Sequence, residues 1–238
     1  MKKVIIIGAS SGIGQALAEL FLQDHYMIGV TGRREILLDT LKEKNPDRVF
    51  VKRMDVQDVS SIQISCTDLV SKLGGLDLMI ISAGIGEENR DLNFEIENEV
   101  IKTNVLGFTS LADWAMRYFK EQGYGHLVNI SSIAGIRGNG IAPSYNATKA
   151  YQINYMEGLR INVKDFGSSI TVTDVRPGFV DTAMAKGDGL FWVAPVEKAA
   201  KQIYRAIQQK KQVVYISRRW KFIGILLKII PYSLLKRL

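Results

Sequence analysis

Four apolar residues, Val4 to Ile7, run straight into Gly8-Ala9-Ser10-Ser11-Gly12-Ile13-Gly14, and behind the glycines Ala16, Leu17, Leu20 and Phe21 recur at helical spacing. A short continuous apolar run suits a strand covered on both faces. Strand, glycine turn and helix in that order let backbone approach a pyrophosphate, while the helix N-terminus offers free N–H groups and a partial positive charge. The spacing is Gly-x3-Gly-x-Gly, not the commoner Gly-x-Gly-x-x-Gly. A glycine turn can be purely structural, but the strand before it and the helix after it favour dinucleotide binding.

The rest of the chain continues the alternation. A second strand over Met27–Thr31 ends in Gly32-Arg33-Arg34, about twenty residues past the glycines. An acid there would bind the ribose 2′-hydroxyl of NAD, whereas an arginine accommodates a 2′-phosphate. Arg33 and Arg34 could be a solvated helix start, yet basic residues are the less favourable choice at a helix N-terminus. NADP(H) is therefore preferred, with NAD(H) left open. Strands are expected over Val49–Met54, Leu76–Ile81, His126–Ile130, Ile170–Val175 and Val213–Ile216, with helices over Val59–Leu73, from Tyr145 to about Asp165 and from Pro195 to about Gln209. This pattern predicts an α/β fold: one doubly wound Rossmann-type domain with a seven-stranded, mainly parallel sheet and helices on both faces. Asp55 is either a helix-start acid or an adenine contact. Asn104, inside a helical pattern, is either a structural tie or part of a site, because a buried amide needs partners. Met184 to Ala194 is a glycine-containing loop with Phe191 and Trp192, suited equally to a substrate lid or an ordinary crossover.

Tyr145 and Lys149 are four residues apart, so on a helix they share a face. A nearby ammonium stabilises a phenolate and brings a tyrosine towards the pH at which a general acid/base works. Ser131 and Ser132 stand at a strand end, where open α/β sheets place their ligands.

Charge and cysteine content narrow the classes. Residues 201–238 hold ten Lys/Arg and no acid, leaving 21 basic and 24 acidic side chains elsewhere, a net of −3. The body of the chain gives no reason to expect nucleic acid. A single cysteine, Cys66, excludes an internal disulfide and a multi-cysteine metal site, and suits a reducing compartment. The apolar run at the N-terminus is too short for a signal core or a span, so the expected location is the cytoplasm.

Together, Gly8-x3-Gly12-Ile13-Gly14, Ala83-Gly84, Asn104, Ser132, Tyr145-x3-Lys149 and Pro177-Gly178-x3-Thr182 resemble, in order and at family spacing, the short-chain dehydrogenase/reductase family in its compact form. The resemblance covers about residues 1–217. It implies a hydride transfer between a nicotinamide cofactor and a carbonyl or alcohol substrate, with no metal. Tyr145 would be the acid/base, Lys149 would lower its pKa and hold the nicotinamide ribose, and Ser132 would orient the substrate oxygen. Asn104 would hold a water linking Lys149 to solvent. The cofactor set it implies is Gly8, Ser10, Ser11, Gly12, Ile13, Gly14, Arg33, Arg34, Asp55, Val56, Ala83, Gly84, Asn104, Tyr145, Lys149, Pro177, Gly178, Val180 and Thr182. A homodimer or homotetramer is the usual assembly. His25 and His126 fall outside the motifs and read as structural. Two positions depart from the pattern: Ile7 where threonine is usual, and Ile81-Ser82 where two asparagines are usual. Both are expected to alter cofactor affinity or stability and to leave the chemistry intact. A non-catalytic nucleotide sensor or scaffold with this fold is the alternative; a sugar epimerase or dehydratase is disfavoured by the glycine spacing and the lack of a sugar-binding domain.

Residues 218–238 form a basic amphipathic tail. On one helix, Arg218, Lys221 and Lys228 make a stripe opposite Phe222, Ile223, Leu226, Leu227 and Ile230. Its apolar part is too short to span a bilayer. It is expected either to pack on its own core or across a dimer, or to lie in a membrane interface with the cations towards anionic lipid.

Overall fold

The computed structural model describes residues 1–166, 169–185 and 191–235. Its strands are β1 (Lys3–Ile7), β2 (Met27–Gly32), β3 (Val49–Arg53), β4 (Leu78–Ile81), β5 (Tyr124–Ile130), β6 (Ser169–Pro177) and β7 (Val213–Ile216). They form one sheet in the order β3-β2-β1-β4-β5-β6-β7, and each neighbouring pair is parallel. The expected mainly parallel sheet is thus wholly parallel among the described residues.

Between the strands run α1 (Gly12–Gln23), α2 (Glu35–Lys44), α3 (Val59–Leu73), α4 (Phe94–Ile101), α5 (Phe108–Gln122), α6 (Pro143–Asn162) and α7 (Val196–Gln208), followed by α8 (Trp220–Ile229) and the single turn α9 (Tyr232–Leu235). Side chains of β1 alternate between two cores. Val4 and Ile6 join Leu17 and Phe21 of α1, Leu38 of α2 and Ile203 of α7; Ile5 and Ile7 join Leu69 of α3, Phe119 of α5 and Met156 of α6. That two-sided burial is why β1 reads as an uninterrupted apolar run. It also accounts for Ile7: the residue is fully buried in the second core, in register with Ile81 of β4. Cys66 is in that core too, where burial pushes its thiol up to about 12. His126 is buried against the Thr173 hydroxyl at 2.8 Å, and burial holds its pKa down at about 4.

Strand order reverses between β1 and β4, so a crevice opens beyond their C-terminal ends, and open sheets bind ligands at that point. A π-helical turn, Lys102–Gly107, joins α4 to α5 and contains buried Asn104. Such turns often mark functional positions within a helix.

The tail differs from its expected form. One apolar surface on a single helix becomes two faces. Trp220 and Gly224 are buried and Ile223 and Leu227 half-buried, while Phe222, Ile225, Leu226 and Ile229 are exposed. The inner face docks on the chain's own core. Gly224 sits against Tyr215, Ile133 and Ile136, and the Trp220 ring covers Gly178 so closely that a side chain there would collide with it. Arg137 caps the helix, donating from Nε to the Leu227 carbonyl (2.7 Å) and from Nη2 to the Ile230 carbonyl (2.6 Å). Those carbonyls have no partner within the helix, and Pro231 prevents its continuation.

Candidate active site

The glycine turn leaves β1 and enters α1 beneath the end of β4. Gly8 adopts φ +84°, and a Cβ there would lie 2.7 Å from the Ala83 amide nitrogen. Gly12 adopts φ +58°, with Thr182 3.3 Å from where its Cβ would be. Only glycine takes both conformations without strain. The second contact also brings the segment after β6 against the turn, so Thr182, Ala83 and the glycines surround one crevice. Ile13 packs on the first core. Arg34 reaches the turn, its Nη2 donating to the hydroxyls of Ser10 (3.1 Å) and Ser11 (2.6 Å). Arg33 is exposed and directs its charge towards Glu99. Beside them Thr31 is buried with its hydroxyl unpartnered, while its carbonyl accepts from Gly8 N and Ala9 N. Glycine-only backbone, a guanidinium with two hydroxyls and a spare buried donor fit the phosphate and ribose end of a dinucleotide. Asp55 is exposed and accepts from Gln57 N at 3.1 Å, while Val56 is buried. Asp55 thus caps the turn into α3 and keeps one carboxylate oxygen for other contacts.

Across the crevice, Ser132 follows β5 and caps a short 3-10 turn, Ile133–Ile136, by accepting from Ala134 N at 3.1 Å. Its hydroxyl favours the ionised form of Tyr145. Ser131 is turned away, donating to Asp174 Oδ1 at 2.5 Å and to the Val175 carbonyl. Pro143 opens α6 at its first turn, where a missing N–H costs nothing. Tyr145 follows, half-buried with its ring over Gly86, where a Cβ would come within 2.6 Å. Burial raises the Tyr145 pKa and the Ser132 hydrogen bond opposes it.

Lys149 is 3% exposed, and burial lowers its pKa to about 8 against the attraction of Asp174. Its Nζ is 5.9 Å from the Tyr145 ring centroid and donates to the Ile130 carbonyl (3.2 Å) and to Gln152 Oε1 (3.0 Å). The shared face predicted by the i,i+4 spacing is present, but the expected depression of the tyrosine is not. Desolvation of the phenol outweighs the opposing Ser132 hydroxyl, and the hydrogen bonds of the ammonium go to Ile130 and Gln152.

Asn104 ties two segments together. Its side chain accepts from Ile85 N (3.0 Å) and donates to the Ile85 carbonyl (2.7 Å) and the Thr148 hydroxyl (3.1 Å). Gln152 joins Lys149 to the same turn, its Oε1 accepting from Lys149 Nζ and its Nε2 donating to the Asn104 carbonyl at 2.9 Å. Gln152 is three residues past Lys149, so a polar amide on the buried face of α6 was the available signal.

After β6, Pro177 ends the strand, Gly178 lies under Trp220, and buried Val180 pairs with Ala194. Of the loop read as a lid, residues 186–190 lie outside the described residues. The Phe191 ring packs 5.1 Å from Trp220.

A family model described as short chain dehydrogenase matches residues 2–190. An uncharacterized oxidoreductase of Mycobacterium tuberculosis is 30% identical over 88% of this chain and 85% of its own length. The NADP-dependent 3-hydroxy acid dehydrogenase YdfG of Escherichia coli is 28% identical over 74% of this chain and 72% of its own. The solved structure of ElxO with NADP bound superposes with a TM-score of 0.80 at 26% identity, over 90% of this chain and 96% of that one. The chain belongs to the short-chain dehydrogenase family and is an NAD(P)-dependent oxidoreductase acting between CH–OH and C=O groups.

Proposed function

We propose that this oxidoreductase is an NADP(H)-dependent reductase of a hydrophobic carbonyl compound, with Tyr145 as its acid/base. The observation that carries the reading is the Tyr145 phenol ring over Gly86 with the buried Lys149 Nζ 5.9 Å from its centroid, at the crevice beside the glycine turn; burial holds the phenol above its ordinary pKa. Such a phenol keeps its proton at neutral pH and can donate it to a carbonyl oxygen that the Ser132 hydroxyl orients. Lys149 supplies a positive charge behind the phenolate that forms. A bound nicotinamide supplies the hydride; the glycine turn, Ala83, Gly84 and the segment Pro177–Thr182 would hold the cofactor. Arg34 with Ser10 and Ser11 would hold a 2′-phosphate, which favours NADP over NAD, as does the NADP in the names of the Escherichia coli relative and the ElxO complex. Aldehydes and ketones tested with NADPH and NADH, followed at the nicotinamide absorbance, should show turnover and NADPH preference. Tyr145→Phe should lower kcat by about 10²–10⁴-fold with NADPH binding retained. NADPH binding without turnover across the panel would favour the non-catalytic alternative, and NADH preference would defeat the role given to Arg34.

We place the protein's partners on two surfaces. Second copies would meet through α5 and α6, around exposed Leu106 and Tyr151; light scattering that finds a monomer ends this reading. An anionic membrane surface would meet the outer face of α8. Arg219, Phe222, Leu226 and Ile229 fall on one helical stripe that begins where Arg219 overlies the half-exposed Trp192 ring at 5.8 Å. Beside them lies a cleft of about 270 Å³ lined by Trp192, Lys198, Arg218 and Arg219. No described helix is long and apolar enough to cross a membrane, so contact would be peripheral. Deleting the tail would uncover Gly178, so Phe222→Glu with Leu226→Glu is the cleaner variant. It should lose co-sedimentation with phosphatidylserine vesicles that the unaltered chain retains; equal partitioning of both would exclude a membrane role.

A further inference from the structure

Gln152 is fully buried on α6, and each end of its amide bonds a group beside the proposed acid/base. Oε1 accepts from Lys149 Nζ at 3.0 Å, and Nε2 donates to the main-chain carbonyl of Asn104 at 2.9 Å. A third bond, from Asn129 Nδ2 to the same Oε1 at 3.3 Å, comes from β5. The pattern fixes which end of the amide is which: a carbonyl oxygen receives the ammonium and an N–H faces the Asn104 carbonyl. We propose that Gln152 is a positioning residue that clamps the Lys149 ammonium to the backbone of the π-helical turn. The inference rests on the acid/base reading of Tyr145.

The chemistry of an amide supports this role, since an amide oxygen favours the charged form of the lysine it accepts from. Lys149 also donates to the Ile130 carbonyl, so two of its three N–H bonds are held on the sheet side. The charged side chain whose field acts on the ammonium is Asp174 on β6, itself paired with Arg176; Tyr145 shares α6 with it.

Three substitutions separate this role from simple packing. Gln152→Leu keeps the volume and removes every hydrogen bond. Gln152→Glu puts a carboxylate where Oε1 stands. Gln152→Ala leaves space that water can enter. Lys149 would be followed by the ¹³Cε resonance of labelled lysine against pH, with and without NADPH and without substrate, Lys149→Met giving the assignment. Its midpoint should fall by about one pH unit in Gln152→Leu and rise by about one in Gln152→Glu. The alkaline limb of kcat for reduction should move the same two ways. In Gln152→Ala, where an entering water can accept from the ammonium in place of Oε1, the midpoint should fall less than in Gln152→Leu.

Midpoints that stay together, or that move in one direction in both variants, overturn the proposal. Should Gln152→Glu fail to fold, the comparison of Gln152→Leu with Gln152→Ala decides, and equal midpoints in those two overturn it as well. The underlying reading fails separately: opposite midpoint shifts with no turnover on any carbonyl leave the clamp standing and remove the reductase. Turnover that needs Tyr145, with an unmoved Lys149, does the reverse.

Discussion

Arg34 and Arg176 both meet side-chain oxygens near the C-terminal edge of the sheet, but in opposite environments. Arg34 is exposed and, among the described residues, reaches two hydroxyls, those of Ser10 and Ser11. Arg176 is 5% exposed and is paired on several sides, with Nε on Asp174 Oδ2 at 2.6 Å, Nη1 on the Tyr215 hydroxyl at 3.1 Å, and the guanidinium 5.6 Å from the Tyr215 ring centroid. A charge in water can wait for a ligand at little cost, whereas a charge in the interior must have its partner built in. The cofactor end of the crevice is therefore open and short of partners. The catalytic end is closed, with Ser131, Asp174 and Arg176 in one network and Lys149, Gln152 and Asn104 in another.

The sharpest test of that contrast removes the inner cation. Arg176→Leu leaves Asp174 buried without its partner and should cost about 3–5 kcal/mol of stability at neutral pH, read by denaturant unfolding. Burial already lifts the Asp174 carboxyl above its ordinary range, against Arg176 and the Ser131 hydroxyl. For an acid whose folded pKa lies above the unfolded one, stability falls as pH rises from the unfolded pKa through the folded value. The loss in Arg176→Leu should accordingly be smallest below about pH 4 and grow above it. Adding Asp174→Leu should recover most of it, since two apolar side chains replace a buried pair at little cost. A deficit independent of pH, or no recovery in the double variant, would mean that packing, not charge, holds this part of the sheet.

How much of this could be read from the chain follows the same division. The glycine turn, the strands and the Ser132, Tyr145 and Lys149 set were legible because each depends on local spacing: an apolar run, a turn that requires glycine, two residues four apart on a helix. The strand limits moved by a few residues, as at Leu76–Ile81, which became Leu78–Ile81. What Lys149 bonds was not legible, because the competition among Ile130, Gln152 and the tyrosine is settled by how α6 lies on β5. How the tail divides its apolar surface was not legible for a similar reason. Periodicity showed that residues 222–230 carry one broad apolar surface, and only the docking of Trp220 on Gly178 and of Gly224 on Ile133 divides it into an inner and an outer face. Arg137 could not have been assigned to the tail from sequence, since its acceptors are ninety residues away or more.

The outer cation should behave in the opposite way to the inner one. Arg34→Ala removes two hydrogen bonds at the surface and should change stability by no more than about 0.5 kcal/mol. Its effect belongs in binding: losing a charge-assisted contact to a 2′-phosphate should weaken NADPH about tenfold, or about 1.4 kcal/mol, and leave NADH nearly unchanged. Raising the ionic strength should narrow the gap between the two cofactors in the unaltered protein, because an exposed charge is screened. Fluorescence titration with both cofactors, at low and high salt, measures each of these. Equal loss of NADPH and NADH in Arg34→Ala would show that the side chain shapes the glycine turn rather than reading the phosphate. Arg33 would then become the candidate, since it is the exposed cation next to Arg34 in the chain.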